Sequence, residues 1–243
     1  YIDEGGSEIT DSEVRGEEYG IRVGNRGGIK VGRSKVEGEI GIEVGERSGL
    51  ELGEGLEIKS KEIGIKVGGD RVIEIEGIKI ESEGKVVESG SGEVEIKSSE
   101  VIGDIEVQGK GEVKVEGSKV EGKVEARGVS EVAIGDSELV GGWIRVEEGS
   151  EIEVEGSEIE GIRDIEIEGR MGIRGSEVSS KEGIRKRKGE VVKIERSKVA
   201  GEIYIDEGES EIIDSEVRGE EYGIRVGNRG EIKVGRSKVE GEI

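Results

Sequence analysis

Apolar residues alternate with charged ones along almost the whole chain, as in Ile29-Lys30-Val31, Val113-Lys114-Val115 and Ile152-Glu153-Val154. A period of two places every second side chain on one face of a strand, so these triplets predict short, half-buried β-strands. The identity of the apolar residues agrees. Of 66 Ile, Val and Leu, 62 are β-branched, a type that fits a pleated sheet and loses rotamer freedom in a helix. The 46 glycines would break any long helix. The pattern predicts an all-β chain.

The triplets recur with a period. Units open at Ile21, Ile40, Ile65, Val86, Ile105, Val124, Ile144, Ile165, Ile184, Ile203 and Ile224, at spacings of 19 to 25 residues. In the last of these, inward-facing residues fall at positions 1, 3, 9, 11, 14 and 16: Ile224, Val226, Ile232, Val234, Ser237 and Val239. That spacing gives three short strands per unit, separated by glycine-bearing corners. One such unit cannot bury its apolar side. Stacking unit on unit in parallel register, about 4.8 Å apart, buries a continuous Ile/Val column and satisfies the backbone. The expected architecture is a parallel β-helix, or β-solenoid, of about twelve coils, read as one continuous domain over residues 1–243. A longer period overlies the short one. Residues 1–40 return at 204–243 with three changes, Gly6 to Glu209, Thr10 to Ile213 and Gly28 to Glu231.

Position 14 is serine in most coils: Ser12, Ser34, Ser99, Ser118, Ser137, Ser157, Ser197, Ser215 and Ser237. Stacked hydroxyls can hydrogen-bond along the column, which predicts a structural serine ladder and not a row of nucleophiles. The segment Ser118-Lys119-Val120-Glu121-Gly122 and its counterparts resemble the Ser-x-[Ile/Val]-x-Gly coils of the right-handed parallel β-helix family, found in pectin-degrading enzymes and bacterial surface adhesins. The resemblance implies a right-handed coil, which is also the default hand of parallel crossovers.

Composition narrows the chemistry. There is no His and no Cys, hence no imidazole base, thiolate nucleophile, zinc site or disulfide. Asp is sparse, and no catalytic carboxylate arrangement of the pectin-degrading kind is present, so the chain is read as a non-enzyme without cofactor. A net charge of −22 disfavours nucleic acid and anionic lipid as partners, and no apolar run approaches the length of a membrane span. The remaining partners are further copies of the chain itself, joined end to end, with divalent cations or glycans on its flanks.

Departures from the repeat mark the places where a function would be grafted. The 25-residue unit at 40–64 predicts an inserted loop around Gly53-Glu54-Gly55 or Lys59-Ser60-Lys61-Glu62. In the unit at 165–183 the serine arrives two places early, at Ser176, which predicts a re-cut corner. Arg185-Lys186-Arg187-Lys188 is the one basic run and a candidate contact surface, with a local bulge expected to turn Lys186 out to solvent. Outward charges at position 15 often alternate in sign from coil to coil, and Glu, Lys and Arg are abundant while Asn, Gln, Met and Cys are scarce, a heat-adapted composition.

Three readings follow. The leading one is a structural solenoid rod belonging to an extracellular fibre, filament or cell-surface element. Its support is the absence of a cap: the sequence opens in mid-coil at Tyr1 and reaches Ile243 at the start of another. The second is a glycan-binding or glycan-cleaving β-helix using Tyr1, Tyr19, Trp143, Tyr204 and Tyr222 as platforms. The third is a designed solenoid, against which the purine-rich coding implied by the composition argues.

Overall fold

A computed structural model describes residues 1–68, 72–89, 93–189 and 191–241; Ile243 lies outside them. The described residues are β-strand, bend and turn, with no helix, and the parallel strands stack as a β-solenoid of about 11 turns. The chain divides into two compact units, Tyr1–Glu121 and Gly122–Ile243.

In the second unit the coil plan is plain. Ile144–Val146, Glu151–Glu155 and Glu158–Ile162 form the first, second and third faces of one coil. Ile165–Ile167, Arg170–Arg174 and Glu177–Ser180 form the next. Each strand bonds in parallel to the strand one coil away, so that Val124, Ile144, Ile165, Ile184, Ile203 and Ile224 share one column. In the first unit several corners are absorbed into longer strands, as in Lys35–Val44, Glu57–Val67 and Lys79–Ser89. The equivalent column there is Ile21, Ile42, Ile65, Val87 and Ile105.

That column corrects two coil starts. Ile42 and Val87, not Ile40 and Val86, stack on their neighbours, so the spacings from Ile21 become 21, 23, 22 and 18 residues. The 25-residue unit with an inserted loop therefore does not exist. Lys59 and Ser60 are strand residues paired with Glu81 and Ser82. Length varies chiefly where the third face turns back to the first. Six residues separate Ile58 from Ile65, but three separate Val101 from Ile105. A corner absorbs such changes without disturbing the columns on either side.

The second corner, by contrast, is fixed. Between the second and third faces, one residue per coil adopts the left-handed conformation. In the first unit these residues are Asp11, Arg33, Gly55, Gly77, Ser98 and Gly117; in the second they are Asp136, Gly156, Gly175, Arg196, Asp214 and Arg236. A single left-handed residue between extended ones bends the chain sharply, a conformation cheap for Gly and tolerable for Asp. The arginines there bear a strain of about 1 kcal/mol each. Two of these guanidinium groups lie on a neighbouring coil's corner carboxylate, Arg33 on Asp11 at 3.0 Å and Arg236 on Asp214 at 2.8 Å.

The core follows from the columns. Ile and Val at the inward positions are almost wholly buried through the inner coils, for example Ile58, Ile96, Val113, Ile152 and Val178. Val115 is buried and stacks on Ile96, which stacks in turn on Ile75 in the same face, and Glu116 beside it is exposed. Val115→Asp would bury a carboxylate with no partner, at a cost of several kcal/mol. It is expected to unfold neighbouring coils and lower the melting temperature strongly, while Glu116→Lys leaves it nearly unchanged. Thermal melts of the two variants check this, and equal melting would mean an inward register wrong by one residue.

Candidate functional site

Within each unit the predicted serines share one column at the start of the third face. In the second unit the main-chain N–H of each serine donates to the Oγ of the serine one coil on: Ser137 to Ser157, Ser157 to Ser176, Ser176 to Ser197, Ser197 to Ser215 and Ser215 to Ser237, at 3.1 to 3.2 Å. In the first unit Ser12 donates to Ser34, and Ser99 to Ser118, each at 3.1 Å. Between Ser34 and Ser99 the column is filled by Leu56 and Ile78.

Every hydroxyl in turn donates to the carbonyl two residues earlier in its own coil, as Ser157 does to Glu155 at 2.9 Å and Ser197 to Glu195 at 2.7 Å. The group that would have to be a nucleophile thus spends its proton on the carbonyl that precedes the left-handed residue. The side chain closes that bend locally while accepting a bond from the neighbouring coil. The ladder ties the second corner of each coil to the next.

Ser176 belongs to the ladder, although its sequence position is early. The corner from Ile167 to Met171 has three intervening residues, whereas that from Val146 to Ile152 has five, yet Met171 still stacks on Ile152. The shortening sits before the second face, and Ser176 regains register after it. The re-cut corner was visible in the sequence; its location on the other side of the second face was not.

The basic run divides by face. Lys186 is not turned out: it lies in the third-position column between Ile167 and Ile205 and is 1% exposed. The parallel register passes through it without a bulge, and the long side chain reaches past Gly208 to donate from Nζ to the Glu209 main-chain carbonyl. Gly208 stands at φ +78, and a Cβ there would meet Nζ at 3.0 Å, so glycine makes the room. Burial pushes the Lys186 amine below its usual range, with the Glu209 carboxylate opposing. Beside Glu209, the Ser210 Oγ is buried without a partner. The candidate contact surface shrinks accordingly to Arg185, Arg187 and Lys188. Arg187 meets Glu166 at 2.6 Å, and Lys188 meets Glu148 at 2.9 Å, so these two charges are spent on carboxylates of other coils.

The aromatic side chains are likewise engaged. Arg22 lies over the rings of both Tyr1 and Tyr19, Arg225 over Tyr204 and Tyr222, and Arg145 over Trp143 at 4.6 Å from the ring centre. A guanidinium on the ring face occupies the surface a sugar would stack on. On the third face of the second unit, Glu158 stands in register between Glu138 and Glu177. A hydrogen bond with Glu160, and then repulsion from these neighbours, raise its carboxyl above the ordinary range. Among the described residues no group of three or more carboxylates is arranged to hold a metal ion, and no helix is long and apolar enough to cross a membrane.

No protein-family model matches the chain, and neither does any curated protein or any solved structure.

Lys186 offers a direct check of the buried geometry. Replacing a buried, singly bonded ammonium by an apolar side chain of similar length removes a desolvation penalty, so Lys186→Met is expected to stabilise the fold by about 1–3 kcal/mol at neutral pH. Because the folded-state amine titrates below the unfolded value, the unfolded chain binds more protons in the window up to about pH 10.5. The wild-type protein gains stability as pH rises through that window, and the advantage of the variant shrinks. Denaturant unfolding of both proteins from neutral to alkaline pH measures this; a variant less stable at neutral pH would contradict the placement.

Proposed function

We propose that the chain is a structural protein, a β-solenoid segment of an extracellular fibre, filament or cell-surface element, with no catalytic role. One observation carries the reading: the long sequence repeat is also a structural repeat. Ile2 pairs with Val23 as Ile205 pairs with Val226, and Ser12 bonds Ser34 as Ser215 bonds Ser237. Arg33 meets Asp11 as Arg236 meets Asp214. A block of about 200 residues that returns to the same register with the same contacts is a tile, and tiling builds long objects of uniform cross-section.

The outer faces suit such an object. Ion pairs run between coils, including Arg22 with Glu43 at 2.7 Å, Lys59 with Glu81 at 3.0 Å and Arg174 with Glu195 at 3.2 Å. Exposed pairs of this kind are individually worth less than about 1 kcal/mol but matter more as networks at high temperature. The net charge of −22 opposes sideways clumping without opposing backbone pairing along the stack. A glycan-binding role is the competing reading.

Immunogold labelling of the cells that make this chain, with an antibody raised against it, tests the proposal. Continuous label along fibres or over the cell surface is expected. Label dispersed through the cell interior, or tight binding of a defined oligosaccharide by the purified chain on a glycan array, would overturn it.

A further inference from the structure

The outward charges of the third face differ between the two units, and in the first they form a regular lattice. The strands of that face are Glu13–Arg15, Lys35–Val44, Glu57–Val67, Lys79–Ser89, Glu100–Val107 and Lys119–Glu121. Their first residues, Glu13, Lys35, Glu57, Lys79, Glu100 and Lys119, stack in one column. Their third residues, Arg15, Glu37, Lys59, Glu81, Ile102 and Glu121, stack in a second. Signs alternate without a break along the first column, and along the second as far as Glu81. The two columns are opposite in sign at every coil except the one where Ile102 is uncharged. The residue between them, Val36, Ile58, Ile80, Val101 or Val120, is buried, so both columns face outward. In the second unit the same positions carry Glu138, Glu158 and Glu177 in direct succession, with Val140 and Glu160 beside them.

We infer that this face of the first unit docks on the same face of a second copy of the chain, the two running in the same direction about a two-fold axis parallel to the stack. This adds a lateral contact to the fibre reading, and it can fail while that reading stands. Charge complementarity selects the partner. A two-fold axis in that direction keeps each coil at its own height and exchanges the two columns, so the first column of one copy meets the second column of the other. Glu13 then meets Arg15, Lys35 meets Glu37, Glu57 meets Lys59, Lys79 meets Glu81 and Lys119 meets Glu121. Each contact occurs twice, because such an interface is isologous. Glu100 meets Ile102, and no like charges meet. The same operation on the second unit would set Glu158 against Glu160.

The match also specifies register. A slip of one coil sets Glu13 on Glu37, Lys35 on Lys59 and Glu57 on Glu81, so the charged contacts turn repulsive. Charges of the lattice already pair within the chain, Arg15 with Glu37, Lys59 with Glu81 and Lys79 with Glu100, each at 3.0 Å. These six side chains nevertheless stay 29% to 65% exposed, so each keeps an outer side for a further partner. The two columns hold five cations and six carboxylates, a sum of −1 within a chain of −22. Two acidic chains can therefore meet on this face with almost no net repulsion, while the acidic remainder opposes contact elsewhere.

The test is a charge swap in trans, read by sedimentation velocity over a concentration series at low salt, where exposed charges are least screened. The wild-type chain is expected to dimerise. The double variant Lys35→Glu, Lys79→Glu makes the first column acidic and sets it against Glu37 and Glu81 of the other copy. The double variant Glu37→Lys, Glu81→Lys makes the second column basic and sets it against Lys35 and Lys79. Each is expected to weaken self-association by about tenfold or more. The second variant carries less net negative charge than the wild type, so general repulsion alone would make it associate more strongly. Circular dichroism checks that each variant keeps its sheet, as expected for changes at outward positions.

An equimolar mixture of the two variants sets the acidic column on the basic one and the two unaltered columns on each other, and it is expected to associate at least as strongly as the wild type. Mixing does not repair the ion pairs within each chain, so recovery reports the contact between chains. It also reports direction, since chains running in opposite directions would set first column on first column and the mixture would stay weak. A wild-type chain that stays monomeric at the highest soluble concentration would overturn the inference. Folded variants that associate like the wild type, or a mixture of folded variants that does not recover, would overturn it as well. The labelling experiment decides the fibre reading separately.

Discussion

One left-handed residue per coil, at the second corner, fixes where the chain leaves the second face and enters the third. Everything inward of it depends on that bend recurring at the same height in every coil. The serine that follows closes the bend by donating to the carbonyl two residues earlier, and accepts the N–H of the neighbouring coil's serine. A local turn and a long-range stack are therefore held by the same hydroxyl. Where Leu56 and Ile78 replace serine, glycine takes the left-handed position at Gly55 and Gly77, so the bend forms without the side-chain bond. The corner that returns to the first face has no such device, and it is chiefly there that coil lengths differ.

This asymmetry explains what was legible in the sequence. Alternating Ile and Val, read against Gly-rich corners, specify strands and a thin continuous core, because the period of two leaves only one face for apolar side chains. The serine column was legible for the same reason: a small polar residue at a fixed inward position must find a partner. The coil starts at Ile42 and Val87 were not legible. Ile40 and Val86 are equally apolar and two or one residues away, and only pairing with Ile21 and Ile65 decides between them. Ser176 was misplaced because a shortened first corner shifts the count without shifting the stack.

Lys186 failed for a different physical reason. Sequence reasoning treats an inward lysine as a contradiction to be resolved by a bulge. In the folded coil a main-chain carbonyl and a facing glycine accommodate it, and neither the carbonyl of Glu209 nor the space beside Gly208 can be read from residue types. The near-identity of residues 1–40 and 204–243 was plain in the sequence, but its consequence was not. Identical valines are core in one copy and surface in the other, because burial belongs to the neighbouring coil as much as to the residue.

Stacking between like positions of successive coils, pinned at the second corner, holds each unit together. Residue-resolved hydrogen exchange measures it most directly. The account predicts that the serine N–H groups of Ser137, Ser157, Ser176 and Ser197 are strongly and similarly protected, with protection falling off toward the Ile224–Glu240 coil. Serine amides that exchange as fast as the exposed residues flanking them, in the inner coils as well as at the edge, would contradict it.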